Sequence, residues 1–170
     1  MKPTRALVKA FVIAPLNIML TVPALILWIS GNGDFFPEQV SLLRTIAGAT
    51  CLFTGIYIIF RSLSDLTDRG KDGTPAPWDP PKNLVVNGIY NKVRNPMISG
   101  IGFVLLSEAM IVGSSTLLLW FILWIAGNLI YTPLIEEPEL EKRFGVNYLK
   151  YKENVPRWVP LFYRQEKTKE

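Results

Sequence analysis

Histidine is absent from this 170-residue chain, and cysteine occurs once, as Cys51 inside an apolar run. Without histidine, the common zinc sites lack a usual ligand and a serine–histidine triad cannot form. A single cysteine can form neither an internal disulfide nor a metal-binding thiolate cluster. These absences argue against hydrolytic and zinc-dependent functions, and we predict no metal site.

Long apolar runs, in contrast, dominate the sequence, and charged or turn-forming segments separate them. The four runs cover residues 6–29, 40–63, 96–112 and 116–135. A helix needs about 20 apolar residues to cross a bilayer, so this pattern is typical of membrane helices. We therefore predict a single domain, an all-α integral membrane protein with about four transmembrane helices. The first run contains prolines but is predicted to be a retained helix and not a signal peptide.

Local signals divide this domain further. The segment Gly113-Ser-Ser115 is only long enough to reverse the chain, so the third and fourth helices should form an antiparallel hairpin. Gly48 and Gly55 lie seven residues apart on about the same helical face, which predicts close packing against another helix. The predicted segments are two N-terminal transmembrane helices (1–63), a cytosolic proline-rich loop (64–95), a transmembrane hairpin (96–135), a cytosolic segment (136–160) and a tail (161–170).

The distribution of positive charge predicts the orientation in the membrane. Residues 30–39 and 113–115 contain no lysine or arginine, whereas the N-terminus, the proline-rich loop and the C-terminal region contain nearly all of them. Lysine and arginine are enriched in cytoplasmic segments of membrane proteins. This rule places both termini and the long polar loop in the cytoplasm.

A polar, glycine-containing stretch between Gly88 and Gly100 carries the chemistry. Arg94 and Asn95 stand directly before Pro96, which is tolerated in the first turn of a helix. A helix N-terminus beside an arginine attracts anionic groups, and Tyr90 could add a stacking face. From these residues alone, the stretch predicts a site for an anion or a cofactor carboxylate near a membrane helix.

The C-terminal segment contains a second pattern. Phe144, Tyr148, Tyr151 and Val155 are spaced as one stripe of an amphipathic helix, provided that Gly145 does not interrupt it. The stripe is compatible with two roles: it could pack against the rest of the protein, or it could line a site directly.

Taken together, these motifs resemble the isoprenylcysteine carboxyl methyltransferase and phospholipid methyltransferase superfamily of integral membrane enzymes. The resemblance implies an S-adenosylmethionine-dependent methyltransferase with a lipophilic acceptor, and a compact prokaryotic member located in the inner membrane. Membrane lipids are its implied partners, nucleic acid is not, and the oligomeric state is open. The matching positions are Gly88, Tyr90, Arg94, Asn95, Pro96, Met97, Gly100, Glu136, Glu137, Leu140, Phe144, Gly145, Tyr148, Tyr151, Val155, Pro156 and Arg157.

The resemblance also implies roles for individual residues. Glu136 would accept hydrogen bonds from the ammonium or ribose hydroxyls of the cofactor, and Glu137 would support it. Arg94 would pair with the cofactor carboxylate or with Glu136. Arg157 is the candidate for orienting the acceptor, so Arg157 and Glu136 form the predicted catalytic pair. The implied cofactor contacts are Lys82, Asn83, Leu84, Val85, Tyr90, Arg94, Asn95, Pro96, Met97, Ile98, Glu136 and Glu137.

Three positions depart from the superfamily pattern. Many relatives have histidine in place of Asn95 and tyrosine in place of Ile98, and carboxyl-methylating members have arginine where this chain has Thr132. These departures leave open whether the acceptor is an isoprenylcysteine-type carboxylate, a phospholipid amine or another apolar small molecule. The competing hypothesis is a non-catalytic lipid-binding or membrane assembly protein, whose basic loops would attract anionic headgroups.

Overall fold

The computed structural model describes residues 12–30, 41–69 and 81–160, and the regular structure in these ranges is entirely helical. The prediction of an all-α protein is confirmed for these residues. A π-helical segment, Val12–Thr21, precedes α1, a 3-10 turn spans Gly88–Asn91, and a π-helical turn, Thr132–Glu136, joins α4 to α5. The α-helices are α1 (Val22–Ile29), α2 (Leu42–Arg69), α3 (Pro96–Val112), α4 (Ser115–Tyr131), α5 (Glu137–Phe144) and α6 (Val146–Asn154).

Two helical stretches, Leu42–Asp68 and Ser115–Phe144, are long and apolar enough to cross a membrane. The second stretch contains 30 residues, which at 1.5 Å per residue is longer than the roughly 30 Å hydrocarbon core of a bilayer. Its charged C-terminal part can therefore extend beyond the bilayer. Pro15–Ile29 and Pro96–Val112 are shorter apolar helices, so the count of four spans stays a prediction.

Glycines bring α2 and α3 into close contact. A Cβ atom on Gly55 would lie 2.7 Å from the carbonyl oxygen of Gly100, and a Cβ on Gly48 would lie 2.7 Å from the side chain of Ile111. Beside this contact, the side chains of Ile59 and Leu105 are buried in the largest apolar cluster. The predicted packing role of Gly48 and Gly55 is thus confirmed.

The hairpin of α3 and α4 follows the predicted boundaries closely. Pro96 occupies the first turn of α3, and α3 ends before Gly113, whose φ of 71° suits a residue without a Cβ atom. Ser114 caps α4 by accepting a hydrogen bond from the N–H of Leu117 at 3.3 Å. The turn therefore needs only two residues between the helices.

Two helices extend beyond the predicted segments. The polar loop was expected from Ser64, but α2 continues to Arg69, and its buried Ser62 and Asp65 side chains contact a later part of the chain. The fourth apolar run ends before Glu136 as predicted, and the helix continues beyond it through a wide π-helical turn into α5. Residues 70–80 of the proline-rich loop, the N-terminal residues 1–11 and the tail 161–170 lie outside the described residues.

The C-terminal stripe also forms differently from a single helix. Gly145 has φ 55°, a conformation that favours glycine, and it separates α5 from α6. Tyr148, Tyr151 and Val155 nevertheless lie together in a buried cluster, with Leu84 and other apolar side chains packed against it. Gly145 thus interrupts the helix, which is the alternative that the sequence left open. The stripe packs within the protein, and Phe144, Tyr151 and Val155 also line a polar cleft.

Candidate functional site

The turn at Gly88–Asn91 is held by the end of α2. A carboxylate oxygen of Asp65 accepts a hydrogen bond from the backbone N–H of Ile89 at 2.8 Å, and Asp65 is 4% exposed. Gly88 has φ 66°, and any Cβ atom there would collide with the Asp65 carboxylate. Glycine is thus required at this position for both its conformation and its size.

Tyr90, within this turn, is fixed at two points. Its hydroxyl lies 2.8 Å from that of Ser62, and its carbonyl accepts a 2.6 Å hydrogen bond from the Tyr151 hydroxyl. Burial raises the pKa of Tyr90 to about 12, although the Ser62 hydrogen bond favours the ionised form. Tyr90 is therefore protonated at neutral pH and links α2 to α6 through the turn.

Asn95 and Glu136, which are 41 residues apart in sequence, meet at the start of α3. The amide nitrogen of Asn95 donates to a carboxylate oxygen of Glu136 at 3.0 Å. Glu136 ends the π-helical turn that also contains Pro133, which has no N–H to donate to the helical ladder. Such wide turns are frequent at functional sites, and this one carries the carboxylate on which the predicted site depends.

Glu137, the next residue, is surrounded by cations. It is 1% exposed, and one carboxylate oxygen lies 3.0 Å from an Arg94 nitrogen and 2.7 Å from Nε of Arg157. The other oxygen lies 3.0 Å from Nζ of Lys152, which also contacts Glu141 at 2.7 Å. Because a buried charge is tolerated only when it is paired, these contacts are what permits Glu137 to be ionised here. We call Arg94, Glu137, Lys152 and Arg157 the ionic cluster.

The acids beside Lys152 and Arg157 raise the pKa values of both cations. Contacts with Glu141 and then Glu137 raise the pKa of Lys152. The hydrogen bond to Glu137 likewise raises the pKa of Arg157. Arg157 is additionally placed over the ring of Trp158, 5.6 Å from its centroid.

Residues 155–160, which we call the C-terminal strap, cross the start of α3. The backbone N–H groups of Arg94 and Asn95 donate to the carbonyl oxygens of Pro156 and Arg157 at 2.8 Å and 3.0 Å. The hydroxyl oxygen of Ser99 lies 3.5 Å from the carbonyl oxygen of Trp158. The strap is therefore attached directly to the residues that precede and begin α3.

A polar cleft of about 900 Å³ lies on one side of these contacts. It combines amide and ammonium groups with apolar and aromatic surface. Its lining residues are Lys82, Asn83, Leu84, Val86, Asn87, Asn91, Phe144, Asn147, Lys150, Tyr151, Asn154 and Val155.

An apolar cavity of about 400 Å³ lies between α3, α4 and the strap. Apart from the hydroxyl of Ser99, the amide of Asn128 and the indole of Trp158, its side chains are aliphatic, aromatic or glycine. Its lining residues are Ile98, Ser99, Gly102, Phe103, Leu106, Phe121, Ile125, Asn128, Trp158, Val159 and Pro160.

Four of the twelve predicted cofactor residues line one of these two cavities, and the others, including Asn95, Glu136 and Glu137, line neither. Lys82, Asn83 and Leu84 line the polar cleft, whereas Ile98 lines the apolar cavity. Val85 and Pro96 are buried, and Met97 packs against the largest apolar cluster. Tyr90 and Arg94 make contacts within the protein, as described above. Among the predicted side chains that it describes, the structure joins Asn95 with Glu136, and it joins Glu137 with both Arg94 and Arg157. The acid that Arg94 contacts is thus Glu137 and not Glu136, the predicted partner.

Sequence reasoning missed three residues that organise the site. Ser62 and Asp65 stand three residues apart at the end of an apolar run, so they share a helical face, and that spacing was a usable signal. Lys152 lies among other charged residues of α6, where the sequence carries no signal for its contact with Glu137. Its role depends on the approach of α6 to α5.

A family model described as phospholipid methyltransferase matches residues 43–147. The match covers more than half of the chain and includes Asp65, Tyr90, Asn95 and both members of the Glu136–Glu137 pair. Lys152, Arg157 and the C-terminal strap lie beyond it. No curated protein matches the chain.

Proposed function

Because the chain belongs to the phospholipid methyltransferase family, we propose that it is an integral membrane enzyme that transfers a methyl group from S-adenosylmethionine to a lipophilic acceptor. The observation that carries this proposal is the position of the Asn95–Glu136 pair. This pair stands at the start of α3, and Ser99 connects Asn95 to the apolar cavity by hydrogen-bonding its carbonyl oxygen at 3.3 Å. The carboxylate proposed to bind the cofactor is thus linked to the apolar cavity through the hydrogen bonds of Asn95 and Ser99.

The residues present fit such a cofactor. Both cavities fall within the roughly 300–1,000 Å³ range of small-molecule sites, and the polar cleft offers amide groups beside the apolar side chains of Leu84 and Phe144. This mixture suits a nucleoside, whose base is flat and whose sugar is polar. We propose that the cofactor uses Lys82, Asn83 and Leu84, and that Glu136 binds its ammonium or ribose hydroxyls.

The bound cofactor would supply a methyl group that its sulfonium already activates. The protein must then align donor and acceptor and exclude water, and it does not need to generate a strong nucleophile. The hydrogen bond from Asn95 orients the Glu136 carboxylate for this purpose. Arg157, whose Nε is held by Glu137, is the proposed group for orienting the acceptor.

The apolar cavity is the proposed site of the acceptor. Its aliphatic and aromatic lining would bury an apolar chain, and burial of such a chain is favourable in proportion to its area. Thr132, at the position where carboxyl-methylating relatives have arginine, is fully buried. It provides no positive charge for an isoprenylcysteine carboxylate, which would then rely on Arg157, already paired with Glu137. A phospholipid amine or another apolar small molecule does not need that charge.

The proposed arrangement in the membrane has four spans, with the termini, the proline-rich loop and residues 136–160 in the cytoplasm. It is supported by the two long apolar helices and by the shorter ones, α3 and the helical stretch Pro15–Ile29. The distribution of lysine and arginine supports the orientation. In a prokaryotic cell this membrane would be the inner membrane, where the cytoplasmic cofactor is accessible.

Calorimetric titration of S-adenosylhomocysteine into the detergent-purified protein tests this proposal. We expect micromolar binding by the wild type, loss of binding in Glu136→Ala, and unchanged binding in Glu139→Ala. Glu139 is a suitable control because it is an exposed acid three residues along the same helical stretch. If the folded wild type binds neither this product nor S-adenosylmethionine, the non-catalytic lipid-binding or assembly function replaces the enzyme.

A further inference from the structure

We propose that Glu137 is a positioning residue that acts through Arg157 to hold the C-terminal strap as one wall of the apolar cavity. Only the identity of the cavity's ligand as a methyl acceptor rests on the proposed function. The contact between Glu137 and the strap can be tested independently of any enzyme activity.

The side chain of Glu137 is placed to act through its neighbours. It is 1% exposed, and both of its carboxylate oxygens contact cations. Those cations come from three separate parts of the chain: Arg94 precedes α3, Lys152 belongs to α6, and Arg157 belongs to the strap. A carboxylate occupied in this way connects these parts and presents no open surface to a ligand.

The strap needs such a connection because it has no regular secondary structure beyond α6. Its described attachments are two backbone hydrogen bonds from Arg94 and Asn95, the hydrogen bond that the Val155 N–H donates to the carbonyl oxygen of Tyr151, the hydroxyl contact of Ser99, and the burial of Val155. The 2.7 Å bond between Glu137 and Nε of Arg157 is its one charged side-chain bond in the described part of the chain. Loss of the Glu137 charge would therefore leave the middle of the strap attached only by its backbone hydrogen bonds, and the strap would open more often.

Release of the strap would change the apolar cavity and spare the polar cleft. Trp158, Val159 and Pro160 follow Arg157 directly, and all three line the apolar cavity. The polar cleft is lined by other residues, of which only Val155 belongs to the strap. We therefore expect Glu137 to govern affinity for an apolar ligand much more than affinity for the cofactor.

Glu137→Gln tests this role, with Glu141→Gln as the matched control. Glu141 lies one turn further along α5 and pairs with the same Lys152 at 2.7 Å, but the structure gives it no contact with Arg157. Three quantities are measured in detergent: amide exchange at Arg94 and Asn95, quenching of Trp158 by 1-bromododecane, and the affinity for S-adenosylhomocysteine. The Trp158 signal is obtained by subtracting the quenching of Trp158→Phe.

In Glu137→Gln we expect amide exchange at Arg94 and Asn95 to become about tenfold faster, because these N–H groups donate to strap carbonyls. The 1-bromododecane concentration for half-quenching should rise about fivefold, while the dissociation constant of S-adenosylhomocysteine changes less than about twofold. Glu141→Gln should match the wild type in all three measurements.

Unchanged exchange and quenching in Glu137→Gln would overturn the inference, as would equal effects in Glu141→Gln. If Glu137→Gln does not fold, Arg157→Gln replaces it, because Glu137 then keeps Arg94 and Lys152, and the same changes must appear. The two proposals can fail separately. If the wild type binds no S-adenosylhomocysteine but Glu137→Gln still shows the expected changes in exchange and quenching, the proposed function is refuted and the role of Glu137 stands.

Discussion

The α2–α3 contact and the ionic cluster hold neighbouring parts of this protein together by opposite means. At the first, Gly55 and Gly100 allow two backbones to approach so closely that a single Cβ atom has no room. At the second, one buried carboxylate gathers three cations. Close packing of small residues suits helices in lipid, where no hydrophobic force draws them together, whereas the charged contacts are specific for their partners. Directional charged contacts thus hold the site together, whereas close packing holds together the helices that support it.

The largest decrease in the free energy of unfolding is expected for Glu137→Ala. It leaves three cations facing one another without their shared carboxylate, and breaking a buried ion pair typically costs about 3–5 kcal/mol. We expect the lower end of this range because Lys152 and Arg157 are partly exposed. Urea unfolding monitored by circular dichroism measures the loss, and a free energy of unfolding within experimental error of the wild type would contradict it.

A smaller loss of stability is expected for Gly55→Ala, which alters the α2–α3 contact. The added methyl would lie 2.7 Å from the Gly100 carbonyl oxygen, and overpacking typically costs about 1–3 kcal/mol. Gly127→Ala is the matched control, because a Cβ at Gly127 meets no atom within 4 Å. Comparable destabilisation by both variants would show that helix propensity or insertion, and not the α2–α3 contact, is responsible.

Asp65→Asn should lower the stability of the turn at Gly88–Asn91 by about 1 kcal/mol. The amide oxygen can still accept the Ile89 hydrogen bond, but this bond is weaker because the acceptor is no longer charged. We expect faster hydrogen exchange at the Ile89 N–H and little change in α3. Asp68→Asn, which alters an exposed acid of the same helix, serves as the control. Equal exchange rates in both variants would remove Asp65 from the support of the turn.

The smallest effect concerns the pH dependence of Tyr90. Its pKa is raised to about 12 in the folded protein, against an ordinary value near 10. The folded state therefore retains a proton that the unfolded state loses, so this contribution to stability is present below pH 10 and declines between about pH 10 and 12. Phenolate absorbance of the wild type minus that of Tyr90→Phe should titrate near the upper value, and a midpoint near 10 would refute the burial of this hydroxyl.

Three of these variants separate the two kinds of contact. If Glu137→Ala changes the quenching of Trp158 and Asp65→Asn changes the exchange at Ile89, while Gly55→Ala lowers stability without changing either signal or the affinity for S-adenosylhomocysteine, the distinction between scaffold and site holds. If Gly55→Ala weakens that affinity as strongly as Glu136→Ala, the scaffold and the site are one energetic unit.

Local signals were sufficient for several elements. Pro96 and Gly113 predicted both ends of α3, since proline is tolerated in a first turn and glycine adopts positive φ after a last one. The apolar runs predicted the helices, and the motifs of residues 88–100 and Glu136–Glu137 predicted the family whose model matches residues 43–147. The helix ends and apolar runs depend on residues within a few positions of one another, and the family on the order of such short motifs along the chain.

Other features depended on distant residues. The extension of α2 to Arg69 requires Ser62 and Asp65 to find partners more than twenty residues away. The sequence left the effect of Gly145 open, because glycine can lie within a helix or end it, and only its backbone conformation in the fold decides. Likewise, no local spacing showed that Lys82, Asn83 and Leu84 would line one cavity and Ile98 another.

By itself, therefore, the sequence determined the helical class, the glycine-mediated packing, the hairpin and the family, because periodicity, turn chemistry and motif order are local properties. The tertiary structure alone decided that Glu136 pairs with Asn95 while its neighbour Glu137 is enclosed by Arg94, Lys152 and Arg157. Two adjacent carboxylates on a helix point in different directions, so their partners depend on which elements pack against each face.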